Sequence, residues 1–265
     1  MIYLKGSNDP RTAQGSRQGG IYSLLRGAIA ALAAGLIFGL WFPYPYNVIL
    51  GGNTLFLLLC GVDVVCGPIL TLVLYSPTKP RAKWLLDIGL ILLVQFSALV
   101  YGLHSIALTR PVWLAFEGDR LRIVKAVEVH GQYLPQAQPG LTALPWTGPR
   151  LIAVRALDKS DPAFLESVQR AMQGDFASFY PQRWIAYEQR SEEVRQLLYP
   201  LAALENRPGM AALRELIENK TGLSPAQQDA QLGYLPLVQG ATLDWVAVLN
   251  KTTALPVAYG HVDGW

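Results

Sequence analysis

The chain has 265 residues, of which 51% are hydrophobic and only 15% charged, and its mean hydropathy is +0.25. An average soluble domain is about 25% charged, so the shortfall points to lipid, with a buried helix of a large soluble protein as the alternative for the most apolar segment. The net charge of +3 comes from residues 1–109, where Lys5, Arg11, Arg17, Arg26, Lys79, Arg81 and Lys83 face Asp9, Asp63 and Asp87. These cations flank apolar segments, which excludes reading the basic pI as a nucleic-acid footprint.

Residues 1–20 are polar and rich in Gly, Ser and Gln, and are expected to form a disordered cytoplasmic tail. The first apolar segment, 21–42, carries Arg26 about one turn inside, where it can snorkel to the near surface. Ala31-Leu32-Ala33 resembles a signal-peptide cleavage site, but Arg26 leaves almost no apolar run ahead of it and the hydrophobicity continues past it. The segment therefore reads as a retained helix. Trp41, Phe42, Tyr44 and Tyr46 then form an uncharged aromatic belt suited to a headgroup region, with Pro43 and Pro45 stopping the helix.

The second segment, 55–75, is apolar almost throughout and carries Asp63 near its middle. About twenty apolar helical residues rise ~30 Å, the thickness of a bilayer's hydrocarbon core. Cys60 and Cys66 lie six apart on this helix and project about 240° apart, so they read as packing residues and not as a disulfide. Lys79, Arg81 and Lys83 follow, and the third segment, 84–108, leads to Arg110-Pro111. Basic tail and basic loop belong in the cytoplasm under the positive-inside bias. Three crossings then place residues 110–265 outside, in the periplasm of a Gram-negative cell. Arg26, Lys79, Arg81 and Lys83 join the aromatic belt as interface anchors.

Residues 110–265 are long enough for one domain. Val112–Phe116 and Leu121–Val129 alternate around Gly118-Asp119 as a hairpin, Gln132–Gly148 is a Pro/Gly-rich loop, and Leu151–Val154 reads as a strand. Asp161-Pro162 opens a helix, and Arg183–Tyr187 reads as a short strand. Ser191–Glu205 and Gly209–Lys220 read as amphipathic helices, the second closed by Gly222; Leu197, Leu198, Leu201 and Leu204 form the core stripe of the first. Leu243–Leu249 and Ala254–Tyr259 form a terminal hairpin. The expected fold is three transmembrane helices followed by an extracytoplasmic α+β domain with an antiparallel sheet.

An ionised carboxylate in lipid is costly and usually has a role. Asp63 lies ~12 Å below Leu55, while on the third helix Tyr101 lies ~10 Å and Ser97 ~16 Å below Leu108. Tyr101 or Ser97 is thus a candidate donor to Asp63, and His104 is shallower. Gly61 and Gly67 let backbones approach closely, and Pro68 frees a carbonyl beside the acid. Asp63 reads either as glue within the three helices or as a polar contact for another protein's membrane helix. A proton or ion path would need a relay across the full depth.

Trp41-Phe42-Pro43-Tyr44-Pro45-Tyr46, Gly61-Val62-Asp63-Val64-Val65 with Gly67-Pro68, Tyr101-Gly102-Leu103-His104 and Arg110-Pro111-Val112 occur in an order that resembles the TfpX/TfpZ-type accessory proteins of type IV pilin. Gly148-Pro149-Arg150-Leu151 is a weaker echo. The resemblance implies an inner-membrane, non-enzymatic helper without cofactors, whose partner is the type IV major pilin. Independently, His104, His130 and His261 are scattered, and no HExxH, G-x-S-x-G or P-loop is present. Asp158 and Asp161 read as turn and helix cap. A membrane-bound transferase acting on pilin and a small-solute or ion transporter remain as alternatives.

Overall fold

The computed structural model describes residues 28, 30–58, 60–61, 80–240 and 242–265. The proposed tail, Arg26, Asp63, Cys66, Gly67, Pro68 and Lys79 lie outside the described residues. Helix α1 (Ala30–Trp41) ends as a π-helix over Gly35–Trp41, closed where the Phe42 N–H meets the Ile37 carbonyl at 2.7 Å. Pro43 supplies no donor to continue it. A single turn, α2 (Tyr46–Ile49), follows, and residues 52–58 are helical again. Helix α3 (Arg81–Thr109) is the one helix among the described residues long and apolar enough to cross a membrane, over Leu85–Thr109. It stops because Pro111 disfavours helical geometry at Arg110, whose ψ is 141°.

Pro111 starts an extended run, and β1 (Pro111–Phe116) pairs antiparallel with β2 (Leu121–Lys125) across the Gly118 turn, where φ is +111°. Beyond these lie β3 (Arg150–Val154), β4 (Trp184–Ala186), β5 (Tyr199–Pro200), β6 (Leu232–Gln239), β7 (Thr242–Asn250) and β8 (Pro256–Gly260). Strand order is β4-β3-β1-β2-β6-β7-β8, with β5 attached to β6. The sheet is mixed, which corrects the antiparallel expectation. The β1–β3 and β2–β6 pairs are parallel, because the chain crosses over between each pair and returns in the same direction.

β6 carries Pro236, which argues against a central strand. Its far edge accommodates the proline: β5 covers Gly233 and Tyr234, β2 covers Leu237 and Val238, and Pro236 falls in the interval between them. A second difference lies at 191–205. Helix α5 spans only Ser191–Leu197, since Pro200 cannot continue it, and a 3-10 turn over Leu201–Leu204 follows β5. Leu201 and Leu204 are buried as expected, but Leu197 is exposed. Helices α4 (Pro162–Met172), α6 (Met210–Thr221) and α7 (Pro225–Gln231) complete the domain. Asp161 caps α4, its carboxylate accepting from the Ala163 N–H at 2.8 Å, and Gly222 closes α6 at φ +70°. At Gly209, φ is +89° and a Cβ would meet the His261 carbonyl oxygen at 2.3 Å, so only glycine fits there.

Both sheet faces are covered. One buries Leu114, Phe116, Leu121, Leu235, Trp245 and Leu249. The other carries two clusters: Leu201, Met210, Leu213 and Ile217 against β6–β8, and Trp113, Ile152, Phe179 and Trp184 under β1–β4. The first face is closed partly by residues from far upstream, since Tyr46 belongs to it and Ile49 and Leu50 pack against it. The Tyr46 hydroxyl donates to the Tyr259 hydroxyl at 2.9 Å, and burial raises the Tyr46 phenol well above its ordinary range. Tyr46→Ala is expected to lower stability by about 3–5 kcal/mol through a large core deletion. Tyr46→Phe, which loses only the hydroxyl bond, is expected to cost about 1 kcal/mol. Chemical denaturation of the detergent-solubilised protein checks both.

Candidate partner-binding site

Beyond Asp87, helix α3 is predominantly apolar up to Leu108, with Gln95, Ser97, Tyr101, His104 and Ser105 as its polar side chains. Its more enclosed stripe runs Ile91, Gln95, Leu99, Leu103 and Ile106, at i, i+4 and i+3 spacing. Ile106, Leu103 and Ala107 pack with Ile37, Trp41, Leu55 and Phe56, which joins the ends of the three apolar segments; Phe38 and Phe56 meet edge-on at 5.2 Å. Ser97, Tyr101 and His104 project from roughly the opposite side, about 180° around the helix at 100° per residue. With Phe96 and Val100 they line an open groove of about 430 Å³, and Tyr101 is 75% exposed. The structure therefore brings these three predicted residues together on one outward face. It turns them away from the side on which the start of the second apolar segment packs.

Gly61, the described member of the predicted glycine pair, has no described atom within 4 Å of where a Cβ would stand. Gln95 was not singled out by sequence. It lies on the enclosed stripe with a buried amide nitrogen that has no hydrogen-bond partner among the described residues. Its polarity within an apolar helix was the available signal.

The aromatic belt is divided. Tyr44 is 59% exposed, whereas Trp41, Phe42 and Tyr46 are buried in protein. Trp41 meets Trp146 edge-on at 5.9 Å, and the Gly148 N–H donates to the Leu40 carbonyl at 2.7 Å. Gly148 has φ +43°, and a Cβ there would meet Pro43 at 3.3 Å. Arg110 is buried with its guanidinium 5.0 Å from the Trp146 ring and one nitrogen donating to the Ala107 carbonyl at 2.7 Å. Burial lowers its pKa from the ordinary value. The Pro/Gly-rich loop thus caps both the end of α1 and the end of α3. Among the other anchors, Arg81 begins α3 and Lys83 is exposed in its first turn.

A titratable cluster in the sheet domain has no local sequence signature. His130 pairs with Asp175 at 2.9 Å, and the Tyr180 hydroxyl donates to the same carboxylate. The His130 and Tyr180 rings lie 4.3 Å apart, with Arg170 5.3 Å from the Tyr180 ring. The partners are 45 residues apart in sequence, so no spacing rule could have found them. His261 pairs separately with Asp244 at 2.5 Å, and His104 lies on α3.

The comparisons align with this layout. The profile of the family described as "Fimbrial assembly protein FimB" matches residues 15–51, the stretch that includes α1 and the docked aromatic loop. A "Fimbrial assembly protein, serogroup I" of Dichelobacter nodosus is 35% identical over 256 residues, covering 95% of this chain and 96% of that protein. The chain belongs to the fimbrial assembly protein family. The serogroup E1 relative from the same organism is 34% identical over 252 residues, and the relative from serogroups C1 and C2 is 43% identical over 130 residues, or 49% of this chain. No solved structure matches.

The pH dependence of the cluster follows from its hydrogen bonds. Burial pushes the Asp175 carboxyl upward, but the bonds from Tyr180 and His130 outweigh it and hold the group below the usual carboxylate range. A depressed folded-state pKa contributes stability above the unfolded value of about 3.9, lost as pH falls through the folded value. The stability advantage of the wild type over Asp175→Asn is therefore expected to shrink between about pH 5 and pH 3. Urea midpoints across that range measure it, and a constant difference would contradict the assignment.

Proposed function

We propose that this protein acts in fimbrial assembly as a non-catalytic accessory factor of the TfpX/TfpZ type, holding its cognate type IV pilin subunit before polymerisation. On this reading α3 spans the inner membrane, the first two apolar segments cross beside it, and the sheet domain lies in the periplasm. Family membership across 95% of the chain carries the assembly role. For the membrane, the supporting observation is that none of the most apolar window of α3 is buried within the protein. Leu85, Leu86, Leu92, Leu93 and Phe96 are each more than half exposed, an apolar surface that water does not tolerate on a monomer.

The groove of Phe96, Ser97, Val100, Tyr101 and His104 supports a contact with a partner's membrane helix. Its hydroxyl and imidazole groups offer hydrogen bonds on an otherwise apolar face, where such groups bring helices together. Asp63 and the open side at Gly61 extend the same reading to the second segment.

Photo-crosslinkers at positions 97, 101 and 104 are expected to capture pilin in cells making fimbriae, and one on the opposite stripe at position 99 is not. Asp63→Asn is expected to reduce surface fimbriae at least tenfold while leaving the pilin mass unchanged. A shifted pilin mass in that variant would favour a transferase, and crosslinks only at position 99 would overturn the proposed face.

A further inference from the structure

Most arginines of the sheet domain that lie at least half inside it have acidic partners; Arg110, held by Trp146 and the Ala107 carbonyl at the helix junction, and Arg183, on a cleft wall, do not among the described residues. Arg122 pairs with Glu117 at 2.8 Å, Arg190 with Glu193, and Arg214 with both Glu205 and Asp229. Arg183 has none among the described residues. Its guanidinium donates to the Ser167 hydroxyl and to the Arg155 carbonyl, both at 2.8 Å, while its Nε is buried without a partner. Burial pushes its pKa below the ordinary value, opposed in part by Glu117.

Arg183 lines a cleft of about 240 Å³ between α4 and the segment from Asp175 to Arg183. That is below the ~300–1,000 Å³ of drug-sized pockets and suits a group the size of one side chain. The acids on the wall are already engaged: Glu166 by Arg170, and Asp175 by His130 and Tyr180. Asp161, just before α4, caps the Ala163 N–H. An Ala163 face and Leu157 give the cleft an apolar side, and the Gln182 side-chain Oε1 is buried with no partner among the described residues.

We propose that this cleft binds a carboxylate-bearing ligand, with Arg183 as the cation that receives it. A guanidinium presents its N–H groups in a fork that matches a carboxylate, and such charge-assisted bonds are about twice as strong as neutral ones. Ser167 and the Arg155 carbonyl hold the fork in place, and the apolar side accepts the alkyl part of the acid. The inference is independent of the pilin reading: it concerns the sheet domain, and a free acid or an acidic group of a polypeptide satisfies it equally.

Saturation-transfer NMR on the full chain in detergent, with propionate as probe, tests the site. Propionate is expected to bind, and Arg183→Gln is expected to weaken it at least tenfold. The near-UV signature of the Trp113–Trp184 pair, whose rings lie 5.3 Å apart, reports whether that variant keeps its fold. Ser167→Asp is the second variant, placing an internal carboxylate where the hydroxyl now meets Arg183. It is expected to raise the melting temperature and abolish propionate binding. Capped peptides carrying either an internal glutamate or a free C-terminus then identify the source of the carboxylate by which one displaces propionate. Equal propionate signals in wild type and both variants, or phosphate binding in place of propionate, would overturn the proposal.

Discussion

The placement of the sheet relative to the apolar helices depends on the docking of one aromatic loop. A domain joined to a helix only through Thr109-Arg110-Pro111 would be free to swivel about that connection. Tyr46 removes the freedom by entering the sheet core, where Tyr259 accepts its hydroxyl hydrogen. The Gly148–Leu40 hydrogen bond and the Arg110–Trp146 contact add attachments from the Pro/Gly-rich loop to the ends of α1 and α3. Burying a large apolar side chain contributes about 1.5–3 kcal/mol, and several such residues act together here. The helix ends and the sheet consequently share one packed junction.

The mixed sheet follows from how that junction is fed. β1 must leave the helix directly, and its hairpin partner β2 lies beside it. The chain then spends residues 126–149 on 3-10 turns and a loop that reaches back to α1 before β3 begins alongside β1. A return to the same end of the sheet makes the pairing parallel. The loop that produces the parallel pair is thus the one carrying Trp146 and Gly148 to the helix ends. Sheet topology and helix docking have a common cause.

Local chemistry made part of this legible in sequence. Gly118-Asp119 marks a hairpin, Asp161-Pro162 a helix start and Gly222 a helix stop, because each residue type satisfies a specific backbone need where it stands. The turn at Asn250 works in the same way, its side chain accepting from Thr252 and Thr253 N–H groups. What stayed hidden depends on distant partners. β6 carries Pro236, which only the gap between β5 and β2 accommodates, and it is not read as a strand from sequence; Leu197–Leu204 kept a helical rhythm across Pro200 that the backbone could not follow. Trp41, Phe42 and Tyr46 have the composition of a headgroup belt, and nothing local distinguishes a lipid-facing tyrosine from one that enters a sheet core 213 residues away. Ser97, Tyr101 and His104 were legible as a set, since i, i+4 and i+7 share a face, but which way that face turns is decided by Leu103, Ile106 and Ala107.

This packing constrains how a partner can be held. If the α3 groove takes a membrane helix, a contact at the sheet domain would fall at a set distance and angle from it, because the aromatic loop fixes the sheet to the helix ends. Two weak contacts joined by a stiff connection act at high effective concentration on a partner of matching shape, and not at all on one whose geometry forbids both. Selectivity for one subunit then requires neither a deep pocket nor an extensive interface. On that condition it would follow from the spacing between the two contacts, which the Tyr46 anchor maintains.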